Sequence, residues 1–238
     1  MNWYEDLRLW SGFSDVLFTP ERARQASDLV AASPLLAFPA GARVLDQCCG
    51  AGFFAAPLAR RGCQVTGVDI HPELLARASG EASYVCADVR DYAVPGAFDV
   101  VMNMYTSFGY CESHDDNLQI LRNAYLSLVP GGQLIVDLLS KEIYASWVGP
   151  PKIVEVPGGM VVMRDTVLDD WTRYRTDWTL IRGDTAQHTS LTCWVYSAAE
   201  LRVMVTQAGF ERTECFGNFD GDPYDGTATR LIVRGTKA

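Results

Sequence analysis

The 238-residue chain predicts an α/β protein: a seven-stranded, mostly parallel sheet with helices on both faces, plus an antiparallel β cap inserted after the fifth strand. Three observations predict it. Between residues 42 and 137 short apolar strand-like runs alternate with helical segments, and strict alternation requires a parallel sheet with right-handed crossovers. From about Lys152 to Val195 the runs are β-rich and separated by turn residues without helices between them. A last helix and two further strands then close the sheet.

Thr19-Pro20-Glu21 opens a helix to about Ala32, with Thr19 as cap and Pro20 at the first helical position. Ala42 to Asp46 reads as a short buried strand, followed by a Gly/Ala-rich turn and a helix from Phe53 to Arg61. Gln64 to Asp69 is a second strand, and Pro72 to Ala78 a second helix. Ser83 to Asp88 is a third strand, ending like the second on an acid. Phe98 to Asn103 is a fourth. Asp115 to Leu128 has helical period, with Leu118, Leu121, Tyr125 and Leu128 on one face. Pro130-Gly131-Gly132 breaks it before a fifth strand, Gln133 to Asp137. In the cap, strands are expected at Val154–Val156, Met160–Val167, Trp178–Ile181 and Leu191–Val195. Ser197 to Ala208 is helical, with Ser197 and Glu200 spaced as a capping box, and Gly209 ends it. Strands near Glu211–Phe216 and Arg230–Gly235 finish the chain.

Composition bounds the function. Hydrophobic residues make up 48% and charged residues 21%, enough for a sizeable core. The formal net charge is −9, with 29 acidic against 20 basic residues, which disfavours a nucleic-acid partner. The seven cysteines are scattered without paired metal-site spacing and read as free buried thiols. No apolar stretch approaches the roughly 18 residues of a membrane span, and the N-terminus does not resemble a signal peptide. A cytoplasmic setting, with no membrane or metal, is expected.

The strongest local signal is Val44-Leu45-Asp46-Gln47-Cys48-Cys49-Gly50-Ala51-Gly52-Phe53. A strand running through glycines into a helix lets the backbone approach a ligand closely and offers unpaired amides. Gly50 to Ala55 also fits G-x-G-x-x-G/A with Asp69 at ribose distance, so a dinucleotide-dependent oxidoreductase is a rival reading. Three features oppose it. Asp46 before the glycines suits a cationic amino-acid tail and repels pyrophosphate. Asp88-Val89 ends the third strand, where an adenine amino group can be read. Val129-Pro130-Gly131-Gly132 precedes the fifth strand.

Together these residues resemble the class I, Rossmann-like S-adenosylmethionine-dependent methyltransferase family, small-molecule type, over nearly the whole chain. Asp46-x-Cys48-Cys49-Gly50-x-Gly52 resembles its D-x-G-C-G-x-G loop, with Cys48 in place of the first glycine. Gly67 to Pro72 resembles its ribose strand, Ala87-Asp88-Val89 its adenine corner, Phe98 to Val101 its fourth strand and Pro130 to Gly132 its pre-strand turn. The resemblance implies S-adenosylmethionine as cofactor and S-adenosylhomocysteine as product. It implies cofactor contacts at Asp46, Cys48, Gly50, Gly52, Asp69, Ile70, Asp88, Val89 and Asn103. Asp46 would sit near the amino-acid tail, Asp69 on the ribose hydroxyls, Ile70 and Val89 against the adenine, and Asp88 on its amino group.

Methyl transfer needs alignment and desolvation, with a base only where the acceptor must lose a proton. The acceptor is expected beyond the fourth strand, near Asn103 to Tyr110. Asn103-Met104-Tyr105-Thr106 departs from the N-P-P-Y of enzymes that methylate base or amide nitrogens. Catalytic candidates are Tyr105, His114 as general base and His188 reaching in from the cap; His71 reads as structural or adenosine-side. The loop Phe216–Tyr224 is expected at the same rim. Trp3, Tyr4, Trp10, Phe13 and Phe18 either pack on the core or fold over the cofactor. Cap aromatics Trp171, Tyr174, Trp178 and Trp194 fit substrate walls, a dimer surface or the cap's own core. The expected organisation is a helical lid segment at 1–40, a cofactor-binding core at 41–140, a substrate cap at 141–195, and a closing helix and strands at 196–238. A small-molecule partner and a monomer or homodimer complete the reading. A fold relative performing another reaction, such as a cyclisation, stays open.

Overall fold

The computed structural model describes residues 2–238. The N-terminal third contains α1 (Leu7–Gly12), α2 (Ser14–Leu17), α3 (Pro20–Ala32), β1 (Arg43–Gln47), α4 (Ala55–Arg60), β2 (Gln64–Asp69), α5 (Pro72–Leu75) and β3 (Ser83–Cys86). Then come β4 (Phe98–Asn103), α6 (His114–Ser127), β5 (Leu128–Leu138) and α7 (Lys141–Ala145). Strands β6 (Lys152–Val156), β7 (Gly159–Leu168), β8 (Arg173–Arg182) and β9 (Thr185–Trp194) precede α8 (Ala198–Gln207), β10 (Arg212–Phe216) and β11 (Leu231–Thr236).

The main sheet has the order β10-β11-β5-β4-β1-β2-β3. β1 to β5 are mutually parallel; β11 pairs antiparallel with β5 and β10 antiparallel with β11, so β11 alone runs against the other six strands. The expected fold class is therefore found. Successive strand residues point to opposite faces, and both faces are buried. Leu45, Val101, Val136 and Val233 face α6 and α8, meeting Leu118, Leu121, Leu201 and Val205. Their neighbours Val44, Met102, Ile135 and Ile232 face α3 and α4, meeting Ala26, Val30, Ala55 and Leu58. Burial on both sides is why these strands read as continuous apolar runs. Thr19 accepts Arg22 N at the start of α3, Ser113 accepts Asp116 N at α6, and Ser197 with Glu200 forms the capping box of α8.

Several boundaries differ from expectation. α4 begins at Ala55, because Gly52 N donates to Cys49 O in a tight turn. α5 is a single turn. β3 stops at Cys86, and Asp88 lies in the following turn, where its Oδ1 accepts Arg90 N. Pro130–Gly132 is a bulge within β5 rather than a break before it. The pairing steps from Phe98↔Leu128 to Val100↔Gln133, and Gly131 sits at φ 79°. All seven cysteines are free, but only Cys63 and Cys111 are buried and Cys86 is exposed.

β6 to β9 form a separate four-stranded antiparallel meander. Leu9 and Phe13 of the N-terminal helices pack on its Val161 and Leu180. Trp3 Nε1 donates to Thr192 O at 2.6 Å, and Asp15 pairs with Arg182. Elsewhere the meander meets α7, where the rings of Tyr174 and Tyr144 lie 4.1 Å apart. Among the described residues no helix is long and apolar enough to cross a membrane.

Candidate active site

β1 and β4 are adjacent, and the chain leaves them toward opposite sides of the sheet. A crevice therefore opens above their carboxyl ends, where open α/β sheets bind ligands. A cavity of about 210 Å³ occupies this place.

The turn after β1 forms its floor. Cys48, Gly50 and Gly52 all have positive φ, at 57°, 53° and 74°. Glycine adopts this conformation freely; Cys48 holds it against the crowding of its own Cβ. Gly50 N donates to Asp69 Oδ2 at 2.8 Å, and His71 N donates to Asp69 Oδ1 at 2.9 Å. The carboxylate at the end of β2 thus orients both the turn and its own loop. Burial raises the Asp69 carboxyl above its ordinary range, against the lowering effect of these two amides. Asp46 is 2% exposed and has no cation partner among the described residues. Burial first, then the neighbouring Asp69 charge, pushes it up to about 8.

Beyond β3, Arg90 folds back on Asp88 through Nε at 2.9 Å and its terminal nitrogen at 2.5 Å. Burial alone would raise the Asp88 carboxyl, but the Arg90 bonds outweigh it and hold it below the ordinary range. Asn123 of α6 supports this corner by donating to Val89 O and Arg90 O.

The wall beyond β4 is strained. Tyr105 and Thr106 both lie in the left-handed region, at φ 54° and 60°, and Thr106 is β-branched. Tyr105 N donates to Asp137 Oδ2 at 3.0 Å, and Thr106 N donates to Asp137 O. Arg230 Nε donates to Asp137 Oδ1 at 2.7 Å, and its NH2 reaches Thr106 Oγ1 at 3.2 Å. Tyr105 is thereby held with its ring edge-on to Phe54 and its hydroxyl donating to Arg22 O.

Of the expected cofactor contacts, Asp46, Cys48, Gly50, Asp69, Ile70, Asp88 and Val89 line the cavity. Two do not. Gly52 faces away, and a Cβ there would stand 2.5 Å from the Tyr84 hydroxyl, so close packing demands its glycine. We expect Gly52→Ala to cost about 1–3 kcal/mol in a denaturant melt, from overpacking at a left-handed position. Asn103 is buried behind the wall with Nδ2 3.9 Å from Cys48 Sγ.

Among the catalytic candidates only Tyr105 reaches the cavity. His114 starts α6 on the outer side, its ring 5.7 Å from Trp194 and 6.1 Å from Tyr196. Its direction follows from the cap strand β9 crossing over it. His188 is on β9 and bonds Thr179 Oγ1 on the exposed part of the meander. The structure thus brings neither histidine to the cavity. The loop Phe216–Tyr224 stays away as well: Phe219 joins the core, and Tyr224 bonds Ser140 and Glu142. Trp178 and Tyr174 are absorbed by Phe13 and Tyr144.

Sequence reasoning missed Arg22, Arg90 and Cys111, which also line the cavity, as does Tyr110 from the stretch expected beside the acceptor. It left the N-terminal aromatics undecided, and the structure divides them. Tyr4 and Phe18 line the cavity, Trp3 and Phe13 turn to the meander, and Trp10 lies between, touching both. Nothing in their spacing separates the two groups. Among the described residues no cluster of three or more metal-ligating side chains is present.

Residues 44–132 match a family described as a methyltransferase domain. The chain is 29% identical over 204 residues to a cypemycin N-terminal methyltransferase from Streptomyces sp, covering 81% of this chain and 82% of that protein. It is 39% identical over 110 residues to a ubiquinone biosynthesis O-methyltransferase of Xanthomonas campestris, a match that spans 42% of this chain and 44% of that protein. Among solved structures, an S-adenosylmethionine-dependent methyltransferase from Clostridium acetobutylicum superposes with a TM-score of 0.78 at 15% identity, covering 97% of this chain and 99% of that one. The amino pentose methyltransferase CalS10 from Micromonospora echinaspora does so with a TM-score of 0.63 at 21% identity, covering 92% and 90%. With the turn of residues 46–52, the acid-ended strands and the sheet order agreeing with these matches, residues 44–132 form a methyltransferase domain, and the chain as a whole has the Rossmann-like fold of the S-adenosylmethionine-dependent methyltransferase it superposes on.

Proposed function

We propose that the cavity above β1, β2 and β4 holds S-adenosylmethionine and that the enzyme methylates a small-molecule acceptor entering beside Tyr105. One observation carries the cofactor placement: three carboxylates, Asp46, Asp69 and Asp88, line one cavity at the ends of β1, β2 and β3. The donor set fits the group. The buried Asp46, unpaired by any protein cation, suits the methionyl ammonium. Arg22, a cavity cation outside the ion pairs of the N-terminal segment, suits the carboxylate. Asp69 would accept the ribose hydroxyls and Asp88 the adenine amino group, with Ile70 and Val89 against the ring. Gly50 would let the backbone lie close.

When bound, the cofactor would supply an activated methyl group on a sulfonium for transfer to the acceptor, with S-adenosylhomocysteine as the product. The protein's part is alignment and exclusion of water. Tyr4, Trp10 and Phe18 cover the crevice, and Tyr105, Ser107 and Tyr110 form its acceptor-side wall. Burial raises the Tyr105 hydroxyl above its ordinary value, so it acts as a neutral hydrogen-bonding group at neutral pH.

Asp46 makes cofactor binding pH-dependent. In the free protein its carboxyl is protonated below about 8, whereas an ammonium binds the carboxylate. Binding therefore releases a proton, and affinity falls as pH falls below 8, by up to about tenfold per unit. Calorimetric titration with S-adenosylhomocysteine at several pH values checks this; a flat dissociation constant places the ammonium elsewhere.

The reaction itself is tested by incubating the protein with methyl-deuterated S-adenosylmethionine and fractionated cell extract, read by mass spectrometry. Label in a low-mass metabolite is expected. Label in protein or RNA overturns the small-molecule acceptor, and cofactor binding without transfer favours another reaction on the same fold.

A further inference from the structure

The two acids assigned to the adenosine are built alike. Asp69 Oδ1 accepts the backbone N–H of the residue two positions on, His71, at 2.9 Å. Asp88 Oδ1 accepts the backbone N–H of the residue two positions on, Arg90, at 2.8 Å. In each case the side chain of that second residue reaches the N-terminal segment. His71 Nε2 donates to Tyr4 O at 2.6 Å, and the Arg90 terminal nitrogen lies 3.7 Å from Glu5 Oε1.

Both contacts fall on one short piece of chain, the 3-10 turn Trp3–Glu5. That turn is rigid. Asn2 N donates to Glu5 Oε2 and Asn2 Nδ2 to Glu5 Oε1, while Trp10 Nε1 shares the Tyr4 carbonyl at 2.8 Å. Tyr4 and Trp10 themselves face the cavity. His71 is 6% exposed, with Trp10 as its ring neighbour at 5.9 Å.

We infer that His71 and Arg90 are positioning residues that latch residues 2–18 over the cofactor, each tying one adenosine-side carboxylate to the turn at Tyr4–Glu5. The inference rests on the cofactor placement proposed above. A ligand that engages Asp69 and Asp88 stiffens the turns carrying His71 and Arg90, and through them the cover. A closed cover in turn holds both carboxylates in their binding orientation. Coupling between the two is reciprocal, as linkage requires.

The test uses the full chain and S-adenosylhomocysteine. Hydrogen exchange of peptides within residues 2–18 is followed with and without saturating ligand, and ligand release is timed by tryptophan fluorescence. In the wild type the ligand slows exchange of this segment. His71→Phe and Arg90→Met together are expected to bind ligand, lose that protection and release ligand about tenfold faster, as expected when a hydrogen bond and an ion pair that slow dissociation are lost. Arg90→Lys restores part of the protection. Glu5→Gln, altered on the cover rather than the core, shifts release in the same direction.

Protection retained in the double variant overturns the latch, as does release at the wild-type rate. So does a folded double variant that no longer binds, because the residues would then hold the carboxylates and not the cover. A wild-type protein that fails to bind S-adenosylhomocysteine overturns the cofactor placement, and the latch with it.

Discussion

Replacing Arg230 with methionine is expected to lower the unfolding free energy by about 3–5 kcal/mol, the cost of leaving a buried charge unpaired. Asp137 has no solvent exposure, and Arg230 is its ion-pair partner. Without the guanidinium the carboxylate keeps only the Tyr105 amide on its oxygens. For a chain of this size the loss corresponds to a fall in melting temperature of roughly 10 °C. Urea titration of the two proteins measures it directly. Asp137→Asn should cost less, since an amide oxygen still accepts Tyr105 N and no charge is stranded. A loss below about 1 kcal/mol for Arg230→Met would show that the pair is not holding the wall.

The effect should extend to the site. Tyr105 and Thr106 each occupy a left-handed conformation that costs about 1–2 kcal/mol for an L-residue. Such strain persists only where surrounding bonds over-determine it, and Asp137 with Arg230 supplies those bonds. Releasing them lets Tyr105 swing from the cavity. The cavity wall beyond β4 is thus made by a residue that follows β4 and secured by one that precedes β11.

The second large effect is on binding. Asp69→Ala is expected to weaken S-adenosylhomocysteine binding by about 1–3 kcal/mol, or roughly 5- to 150-fold, through loss of charge-assisted hydrogen bonds. The structure adds a reason beyond the ribose: Gly50 N and His71 N both lose their acceptor, so the turn and the following loop loosen together. Asp69→Asn separates the parts, since it keeps an acceptor for one amide while removing the charge. Isothermal titration decides the matter. An unchanged dissociation constant for the alanine variant would remove Asp69 from the ribose.

Local chemistry made much of this readable beforehand. Thr19-Pro20 and Ser197 with Glu200 announce helix starts because a side-chain oxygen and the first free amides lie within a few residues of each other. Runs such as Val44-Leu45 and Ile135-Val136 show central strands because both sheet faces are covered. The acids ending β1 and β2, and the acid just past β3, mark one rim because parallel strands present their carboxyl ends together. Asn103 was misplaced for a related reason. Alternation along β4 turned it behind the wall toward Cys48, and one residue of phase separates lining from backing.

His114 and His188 show the limit of that reasoning. Sequence placed His114 near the right strand end, but its direction depends on β9, which brings Trp194 against it from about 80 residues away. The N-terminal aromatics carry no periodicity that distinguishes Tyr4 and Phe18 from Trp3 and Phe13; the meander captures the second pair. Arg22 and Arg90 carry no motif at all.

By itself the sequence determined the order of the main-sheet strands and their helices, the glycine turn after β1 and the acids at the strand ends. Each of these follows from bonds and burial patterns spanning a few residues. Only the tertiary structure decided which aromatics cover the crevice, which histidines stay outside it, and how the Tyr105–Thr106 wall is held. Those outcomes depend on contacts between residues as far apart as Trp3 and Thr192 or Thr106 and Arg230. No local pattern encodes such a contact, because its partner is chosen by how the layers pack.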